Sequence, residues 1–485
     1  MLDRALSLVV CSHDEAKGQC LGRCPPFQPK QKKRMINVQS LSKPLALMLL
    51  WVAAESVCAD LTMSQAEMRA LESDNGLKEL YAAARDNRYQ AMQAGQLSDP
   101  KLVMGLLNLP AESLRFDQEP MTQFKLGVLQ QFEPGNMLSL KEKKMNEMAE
   151  GVDFSAEGRK LFVMKEVRES WLEVLYWIQE GRILAQDESL FRQLVEVTHS
   201  LYGVGKVQQK DVLRAELEVG RLHERMIRAQ RMGERERSKL SRWIGDLAFT
   251  EEFPDNLPVI TRPRALMTEG GSATALRYGE SSAMVALKSH PMLQMQNRKL
   301  SVAKTAVEIE KQKYQPMWGV ELSYAFRDGN NPNGSKRTDF VNAQVNLSLP
   351  LFTSVRQDRS VQAALASAEA ASYSWEDQYQ QFQSNVAMLL DMLTQTEDQL
   401  ALYDEEILTR AAQQAEAALS AYQADTTEFA EVMRAYLSEQ KDRLAYERLK
   451  VTRLQTLSAL HFYLPDEPVL QPVISQEIQK GEGNQ

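Results

Sequence analysis

The sequence predicts a mixed α/β membrane protein in which long coiled-coil helices are combined with short amphiphilic strands. Apolar and polar residues alternate from Trp318 to Arg327 and again from Val341 to Leu351, which is the period of a strand with two different faces. Apolar residues step by four and three from Trp375 to Ile407, which is the heptad seam of a helix packed against other helices. Each strand has the length of about ten residues that a tilted strand needs to cross a bilayer.

The composition limits the classes of protein that are possible. The chain has 485 residues, of which 44% are hydrophobic and 25% are charged, so wholesale disorder is excluded. The formal net charge of -8 argues against a general nucleic-acid binder, whose surface should be basic. The mean hydropathy of -0.39 excludes a bundle of transmembrane helices, each of which needs roughly 20 consecutive apolar residues. Any membrane role therefore requires strands.

The N-terminal part of the chain predicts export from the cytoplasm. Residues 35–59 read as a secretory signal peptide, with one positive charge, an apolar run from Pro44 to Ala54, and a small-residue cleavage site that ends at Ala59. We expect translation to begin at Met35, with residues 1–34 as an upstream mis-start.

All four cysteines lie within the first 58 residues, so no disulfide is expected to stabilise the mature fold. Two alternatives are open for this region. A zinc site would need a paired Cys-x2-Cys spacing, which the residues do not show. Its ligands would be Cys11, His13, Cys20 and Cys24. A lipoprotein signal would place a lipid on Cys58, although Glu55 stands where that signal prefers an apolar residue.

The chain resembles itself at a constant offset of 220 residues. The segment Tyr202–Ala215 aligns with Tyr422–Ala435, and Phe132 falls on Phe352. Two internal repeats are therefore expected, each with a leading helix, two short strands and a long helical hairpin. The first repeat is expected at 60–245, with strands near 101–109 and 122–132 and a tip near 203–211. A linker or equatorial region at 246–282 follows. The second repeat is expected at 283–465, with strands near 317–327 and 340–352 and a tip near 423–428, and a disordered tail at 466–485 ends the chain.

Two further expectations concern size and assembly. Heptad runs of about 45 residues predict helices of ~70 Å. Four strands from one chain cannot close a barrel, and an open edge in lipid would leave backbone groups without partners. The chain is therefore expected to oligomerise, with eight strands from two chains or twelve from three. Aromatic residues near strand ends, such as Trp318 and Phe326, favour a bilayer interface over the half-buried sheet of a soluble domain.

Five short segments of the two repeats stand out: Leu97–Leu102, Glu119–Gln123, His290–Leu293, Tyr314–Trp318 and Leu349–Phe352. Taken in this order, they resemble the outer-membrane efflux channel family, the TolC-like proteins of Gram-negative bacteria. The resemblance covers residues 75–463. It implies that three chains form a twelve-strand transmembrane β-barrel, four strands per chain, which a long coiled-coil α-helical barrel continues across the periplasm.

The resemblance also implies the function and the partners. The chain would be the outer-membrane channel of a tripartite efflux system, passively conducting cargo from a proton-driven inner-membrane pump and its periplasmic adaptor protein to the outside. The cargo would be metal ions or small toxic compounds, with a lean toward the outer component of a heavy-metal efflux system. A protein-secretion duct and a soluble periplasmic coiled-coil scaffold are the alternatives. Outer-membrane lipid and two further copies of the chain complete the expected partners, and no nucleic acid is expected.

Three groups of site residues follow from the strand pattern and the resemblance. The barrel lumen is assigned to Lys125, Glu321, Ser323, Arg327, Asn342, Gln344, Asn346 and Ser348. The lipid-facing group is assigned to Trp318, Leu322, Tyr324, Phe326 and Leu347. The adaptor-docking tips are assigned to Val204, Gly205, Asp211, Val212, Leu213, Ala215, Asp425, Val432, Met433 and Ala435.

Local chemistry supports the first tip more than the second. Gly205 permits a tight reversal between helices, and Asp211 can cap the returning helix. Val212, Leu213 and Ala215 offer a small apolar face to a partner. The second tip departs from this pattern, because Asp425 replaces the glycine.

No enzymatic activity, cofactor or metal site is expected. The segment Gly203–Lys206 has the look of a phosphate loop, but Ser200 stands where the first glycine of that loop is required. The five histidines form neither a His-Glu-x-x-His pair nor a spaced cluster. Conduction through a channel needs no nucleophile, so this pattern fits the expected role.

Overall fold

The computed structural model describes residues 60–267 and 282–466. The expected mis-start, signal peptide, zinc ligands and lipidated Cys58 lie outside these residues, and so does the tail beyond Asp466. Long helices and one four-stranded antiparallel sheet make up the described part of the chain, which confirms the mixed α/β class.

Two short helices open the first half. Helix α1 spans Met63–Ser73, and a capping box at Thr62 satisfies its first backbone N–H groups. Helix α2 spans Asn75–Ala94, with Asp74 as its N-cap. The carboxylate of Asp74 accepts from the backbone N–H of Leu77 at 2.6 Å and from the guanidinium of Arg159 at 3.1 and 2.9 Å. These hydrogen bonds hold the pKa of Asp74 below its ordinary value.

A hairpin of strands and a hairpin of helices complete the first half. The strands are β1 at Lys101–Leu107 and β2 at Gln123–Phe132, and the helices are α3 at Met137–Gly203 and α4 at Gln209–Ile244. Strand β1 stops two residues before the expected end, because Asn108 takes a left-handed conformation with φ of 55°.

Three short helices connect the halves. They are α5 at Leu247–Thr250, α6 at Arg264–Met267 and α7 at Ser282–Lys288. The second half then contains α8 at Pro291–Gln312, β3 at Met317–Phe326, β4 at Phe340–Ser348, α9 at Gln357–Leu402, a π-helical segment at Tyr403–Ile407, α10 at Leu408–Gln423 and α11 at Phe429–Tyr463. Strand β4 ends before the expected residue 352, since Pro350 has no backbone N–H to offer a neighbouring strand.

A buried histidine caps helix α8. The Nδ1 atom of His290 accepts from the backbone N–H of Met292 at 3.1 Å, and Nε2 lies 2.9 Å from the carbonyl oxygen of Phe462. Because a carbonyl oxygen can only accept, Nε2 carries the hydrogen and the ring is neutral. Burial lowers the pKa of His290 to about 4.

The long helices exceed the expected length. Helix α3 has 67 residues, which correspond to a length of about 100 Å. The run from Gln357 to Gln423 begins and ends 220 residues after α3 and differs by containing the π-helical segment. The expectation of about 45 residues was too short because the strand-proximal turns of α3, which lack a continuous heptad, still pack against α2 and α8. Gly158 allows this approach, since a Cβ atom there would lie 3.0 Å from Cγ of Met292.

The sheet and the helices meet at one side. The strand order is β1-β2-β3-β4, and every neighbouring pair is antiparallel. Strands β1 and β3 begin at the helical side, and β2 and β4 return to it, so both strand-connecting loops lie at the far side of the sheet. Within the described residues, the outer edges of β1 and β4 pair with no other strand.

Two buried clusters stabilise the helical part. The larger one joins both halves around Trp171, Leu240, Leu293 and Leu457. The smaller one lies toward the tips and includes Phe191 and Phe429. None of the helices in the described ranges combines the length and the apolarity that a membrane span requires.

Candidate functional site

One face of the sheet is apolar and exposed. The strand register brings alternate side chains of all four strands to this face. Its exposed members are Leu102, Met104, Leu106, Phe124, Leu126, Val128, Trp318, Val320, Leu322, Tyr324, Phe326, Val341, Val345 and Leu347. All five residues assigned to lipid lie in this group. An apolar surface of this extent is unusual for a protein surrounded by water.

The opposite face is mostly polar. Ser323 and Glu321 are buried on it, with 3% and 7% of their surface exposed. Strand β4 brings its polar side chains to the same face, and they are exposed at the edge of the chain. These β4 residues are Asn342, Gln344, Asn346 and Ser348. The register therefore places seven of the eight residues assigned to the lumen on one surface.

Lys125 and Glu321 form an ion pair on the polar face. Lys125 lies on β2 opposite Ala325, whereas Glu321 lies on β3 opposite Leu129. Sequence alternation placed both residues on one face but gave no sign that they pair across the strands.

Stacked aromatic rings lie at both ends of the sheet. Phe132 and Trp318 are direct cross-strand partners at the helical side, with ring centroids 4.2 Å apart. Phe116, in the loop after β1, stacks on Phe326 at 6.1 Å at the far side. The apolar face is thus bordered by aromatic rings above and below, which is the arrangement found in outer-membrane sheets.

Two arginines tie the far loops to each other. The guanidinium of Arg327, the eighth predicted lumen residue, contacts the carbonyl oxygen of Pro120, donates to that of Thr338 at 3.2 Å, and lies over the ring of Phe340. Arg337 donates to the carbonyl oxygens of Glu119 at 3.0 Å and Asp328 at 2.9 Å. Arg327 is therefore engaged with the loops at the far end of the polar face, and Arg337 is a second bracing residue that the sequence pattern did not single out.

The two tips have the same backbone turn. In the first, the backbone N–H of Gly205 donates to Tyr202 and that of Lys206 to Leu201, both at 2.9 Å. Positions 220 residues later repeat these hydrogen bonds at 3.0 and 2.9 Å. Gly205 and Asp425 occupy the left-handed position, with φ of 74° and 60°. The Gly203–Lys206 segment therefore forms the C-terminal turn of α3 and not a phosphate loop.

Several predicted docking residues are buried within the chain. Ala215 and Met433 belong to the smaller buried cluster with Phe191 and Phe429. Val212, Val432 and Ala435 are also buried. Asp211 is 8% exposed, and its carboxylate accepts from the backbone N–H of Gln208 at 3.2 Å. These six side chains face the chain's own core, so the available tip surface is narrower than expected. The predicted docking residues that are exposed are Val204, Gly205, Leu213 and Asp425.

No three His, Cys, Asp or Glu side chains converge on a possible metal position in the part of the chain that the structure describes. His199 contacts Glu216 at 3.0 Å near the first tip, and His290 is engaged as a helix cap.

Comparisons with known proteins agree with this architecture. The family model described as outer membrane efflux protein matches residues 284–464. The fold is similar to that of the outer-membrane channel OprN, with a TM-score of 0.69 at 16% identity over 84% of this chain and 91% of that one. It is also similar to CusC, with a TM-score of 0.68 at 14% identity over 84% and 92%. The CmeC outer membrane channel of Campylobacter jejuni gives 0.67 at 12% identity over 93% and 97%. No curated protein sequence matches.

The resemblance seen in the sequence is therefore confirmed by the family match and by the fold. Residues 284–464 carry the family's domain, and the similarity of fold extends over most of the chain. This chain is therefore similar to the outer membrane efflux proteins, by sequence over residues 284–464 and by fold over most of its length.

Proposed function

We propose that three copies of this chain form a twelve-strand barrel in the outer membrane, continued by a helical duct into the periplasm. The amphiphilic sheet carries the proposal, because one face is apolar, exposed and bordered by aromatic rings, whereas the other is polar. The unpaired edges of β1 and β4 support closure through further copies, since lipid offers backbone groups no hydrogen bonds. The matching bounds of the long helices support the proposed duplication.

Spin labels test this arrangement residue by residue. Labels at Leu322 and Leu347, in outer-membrane vesicles, should be accessible to oxygen and protected from a water-soluble nickel chelate. Labels at Asn342 and Asn346, exposed positions on the polar face of β4, are the matched controls and should show the reverse. Aqueous surroundings or buried protein contacts at Leu322 and Leu347 would leave only the soluble periplasmic scaffold.

The duct would be the outer component of a tripartite efflux system. In this proposal the tips receive a periplasmic adaptor protein, and a proton-driven inner-membrane pump supplies the energy, so the channel itself is passive. The exposed apolar residues Val204 and Leu213 support docking at the first tip, because 71% and 57% of their surfaces are exposed. The cargo is proposed to be metal ions or small toxic compounds, and protein secretion is the alternative.

A charge introduced at the tip tests docking. Leu213→Glu should abolish resistance to silver salts, cadmium salts and ethidium in cells that depend on this channel, while the trimer still assembles. Ile227→Glu is the matched control, because Ile227 is equally exposed on the same helix and about four turns away. Equal resistance in both variants would contradict docking at the tip but would leave the proposed barrel unaffected. If the wild-type channel confers resistance to the metal salts, the cargo is metal ions, and if it confers resistance to ethidium, the cargo is small toxic compounds. If it confers neither resistance but supports secretion of a protein, the protein-secretion alternative is favoured.

A further inference from the structure

The proposed pore wall contains very few charges. Across the four strands, the charged residues are Lys101, Lys125 and Glu321, and all three lie on the polar face. Lys101 lies at the helical end, where its Nζ atom is 3.4 Å from Oε1 of Gln131. Glu321 lies in the middle of β3, and Lys125, the third residue of β2, reaches toward it from the far side. Together they form the one ion pair within the sheet. Strand β4 contributes Phe340 and otherwise only amide and hydroxyl groups to this face.

The backbone of the sheet is arranged to let this pair form. Gly127 and Ser323 are direct cross-strand partners and lie between Lys125 and Glu321 on the same face. A Cβ atom at Gly127 would lie 2.5 Å from Cβ of Ser323, so only glycine fits there. Because glycine has no side chain and serine has a small one, the side chain of Lys125 can extend past them to the carboxylate of Glu321, four residues along β3 from the position opposite the lysine.

Both charged groups are shielded from bulk water. The side chains of Lys125 and Glu321 are 18% and 9% exposed. Two opposite charges at contact distance present little net field to an ion in the middle of a pore, whereas either charge alone would act at full strength. Removal of one partner also leaves the other partly buried and unpaired, which is a costly state for a charge.

We propose that the Lys125–Glu321 pair keeps the middle of the barrel electrically neutral, so that the barrel passes cations, anions and neutral molecules without selecting by charge. This inference rests on the proposed function. Each member of the pair is then a determinant of selectivity, because loss of its partner exposes a ring of three like charges. The choice of cargo falls to the components that deliver it to the duct.

Ion selectivity of purified trimers in planar lipid bilayers tests the proposal. In a gradient of potassium chloride near 0.1 M, Glu321→Gln should lower the cation-to-anion permeability ratio by about threefold and Lys125→Gln should raise it by about threefold. At about 1 M salt both changes should shrink, since the Debye length falls from ~10 to ~3 Å. Glu72→Gln, which removes an exposed carboxylate that pairs with Arg69 on α1, is the matched control and should leave the ratio unchanged.

A charge-swapped double variant covers the case in which a single variant fails to assemble. Lys125→Glu combined with Glu321→Lys keeps the pair and should retain the wild-type ratio. If both single variants keep the wild-type permeability ratio, or if the swapped variant changes it, the inference about the ion pair is wrong, but the proposed channel function is unaffected. Absence of any conductance from wild-type trimers overturns the proposed channel and the inference with it.

Discussion

The two halves of the chain end their helices at equivalent positions but stabilise those ends with different side chains. Asp74 caps α2, the helix that precedes the strands of the first half, and His290 caps α8, the helix that precedes those of the second. Gly205 turns the first tip, and Asp425 turns the second. The backbone geometry is thus kept while the chemistry differs. Substitutions at equivalent positions can therefore be compared to find which side chains stabilise each half.

The largest difference is expected where the helical hairpins fold back. Phe429 opens α11, is 2% exposed, and packs edge-to-face on Tyr422 at 5.6 Å. The equivalent residue in the first half, Gln209, is exposed. Phe429→Ala should lower the free energy of unfolding by about 3 kcal/mol because it empties a buried site, whereas Gln209→Ala should change it by less than about 0.5 kcal/mol. Guanidinium titration of the detergent-solubilised protein, followed by circular dichroism, measures both, and equal losses would contradict the asymmetry.

The helix caps should respond to acid in different ranges of pH. Folding lowers the pKa of His290 from 6.5 to about 4, so the unfolded chain takes up this proton first. Stability from His290 is therefore complete above pH 6.5 and should fall by about 3 kcal/mol as the pH drops to 4. The pKa of Asp74 is also lowered, but from 3.8, so its contribution is lost only at lower pH.

A variant without the titrating ring isolates this contribution. Asn is a good N-cap and does not titrate, so His290→Asn should flatten the decline in the free energy of unfolding between pH 6.5 and 4. Measurements at pH 7.5 give the separate cost of losing the ring packed against Phe382 and Phe462. Parallel declines in wild type and variant would show that His290 does not carry the effect.

The tips should respond to exchange of their left-handed residues in opposite directions. A Cβ atom at Gly205 meets nothing within 4 Å, so Gly205→Ala adds only backbone strain, worth about 1 kcal/mol. Asp425→Gly removes such strain and should stabilise the second tip by slightly less, because glycine also gains freedom in the unfolded chain. Hydrogen exchange of the Lys206 and Thr426 amides reads the local opening free energy. Faster exchange of Thr426 in Asp425→Gly would contradict this view of the turn.

The smallest difference is expected at the start of the returning helices. Asp211 accepts from the backbone N–H of Gln208, whereas Glu431 forms an exposed ion pair with Arg434 at 2.8 Å. Asp211→Ala should therefore cost about 0.5 kcal/mol of local stability and Glu431→Ala close to nothing. Exchange rates of the first-turn amides of α4 and α11 compare the two, and a larger effect at Glu431 would reverse the assignment.

The strands and their faces could be predicted because their pattern is local. The period-two alternation of β3 and β4 predicts the same two faces that the strand pairing shows, with Glu321 on the polar face and Leu322 on the apolar face. Tip docking was less predictable, because burial of Met433 depends on its packing with Phe191, far away in the sequence. The cap at His290 was equally hard to predict, because its Nε2–H donates to a carbonyl oxygen of α11, which is also distant in the sequence. Heptad spacing also missed the first turns of α3, whose neighbours are α2 and α8.

The bare edges of β1 and β4 bear on how the protein reaches its membrane. A single subunit inserted into the hydrocarbon core would expose two edges of backbone N–H and C=O groups without hydrogen-bond partners. The free-energy cost would increase with each unpaired residue along β1 and β4. Entry into the bilayer should thus be a collective event, in which subunits meet before or while they cross the headgroups. The yield of inserted protein is accordingly expected to climb more steeply than in proportion to subunit concentration, and a strictly proportional yield would speak for insertion of single chains.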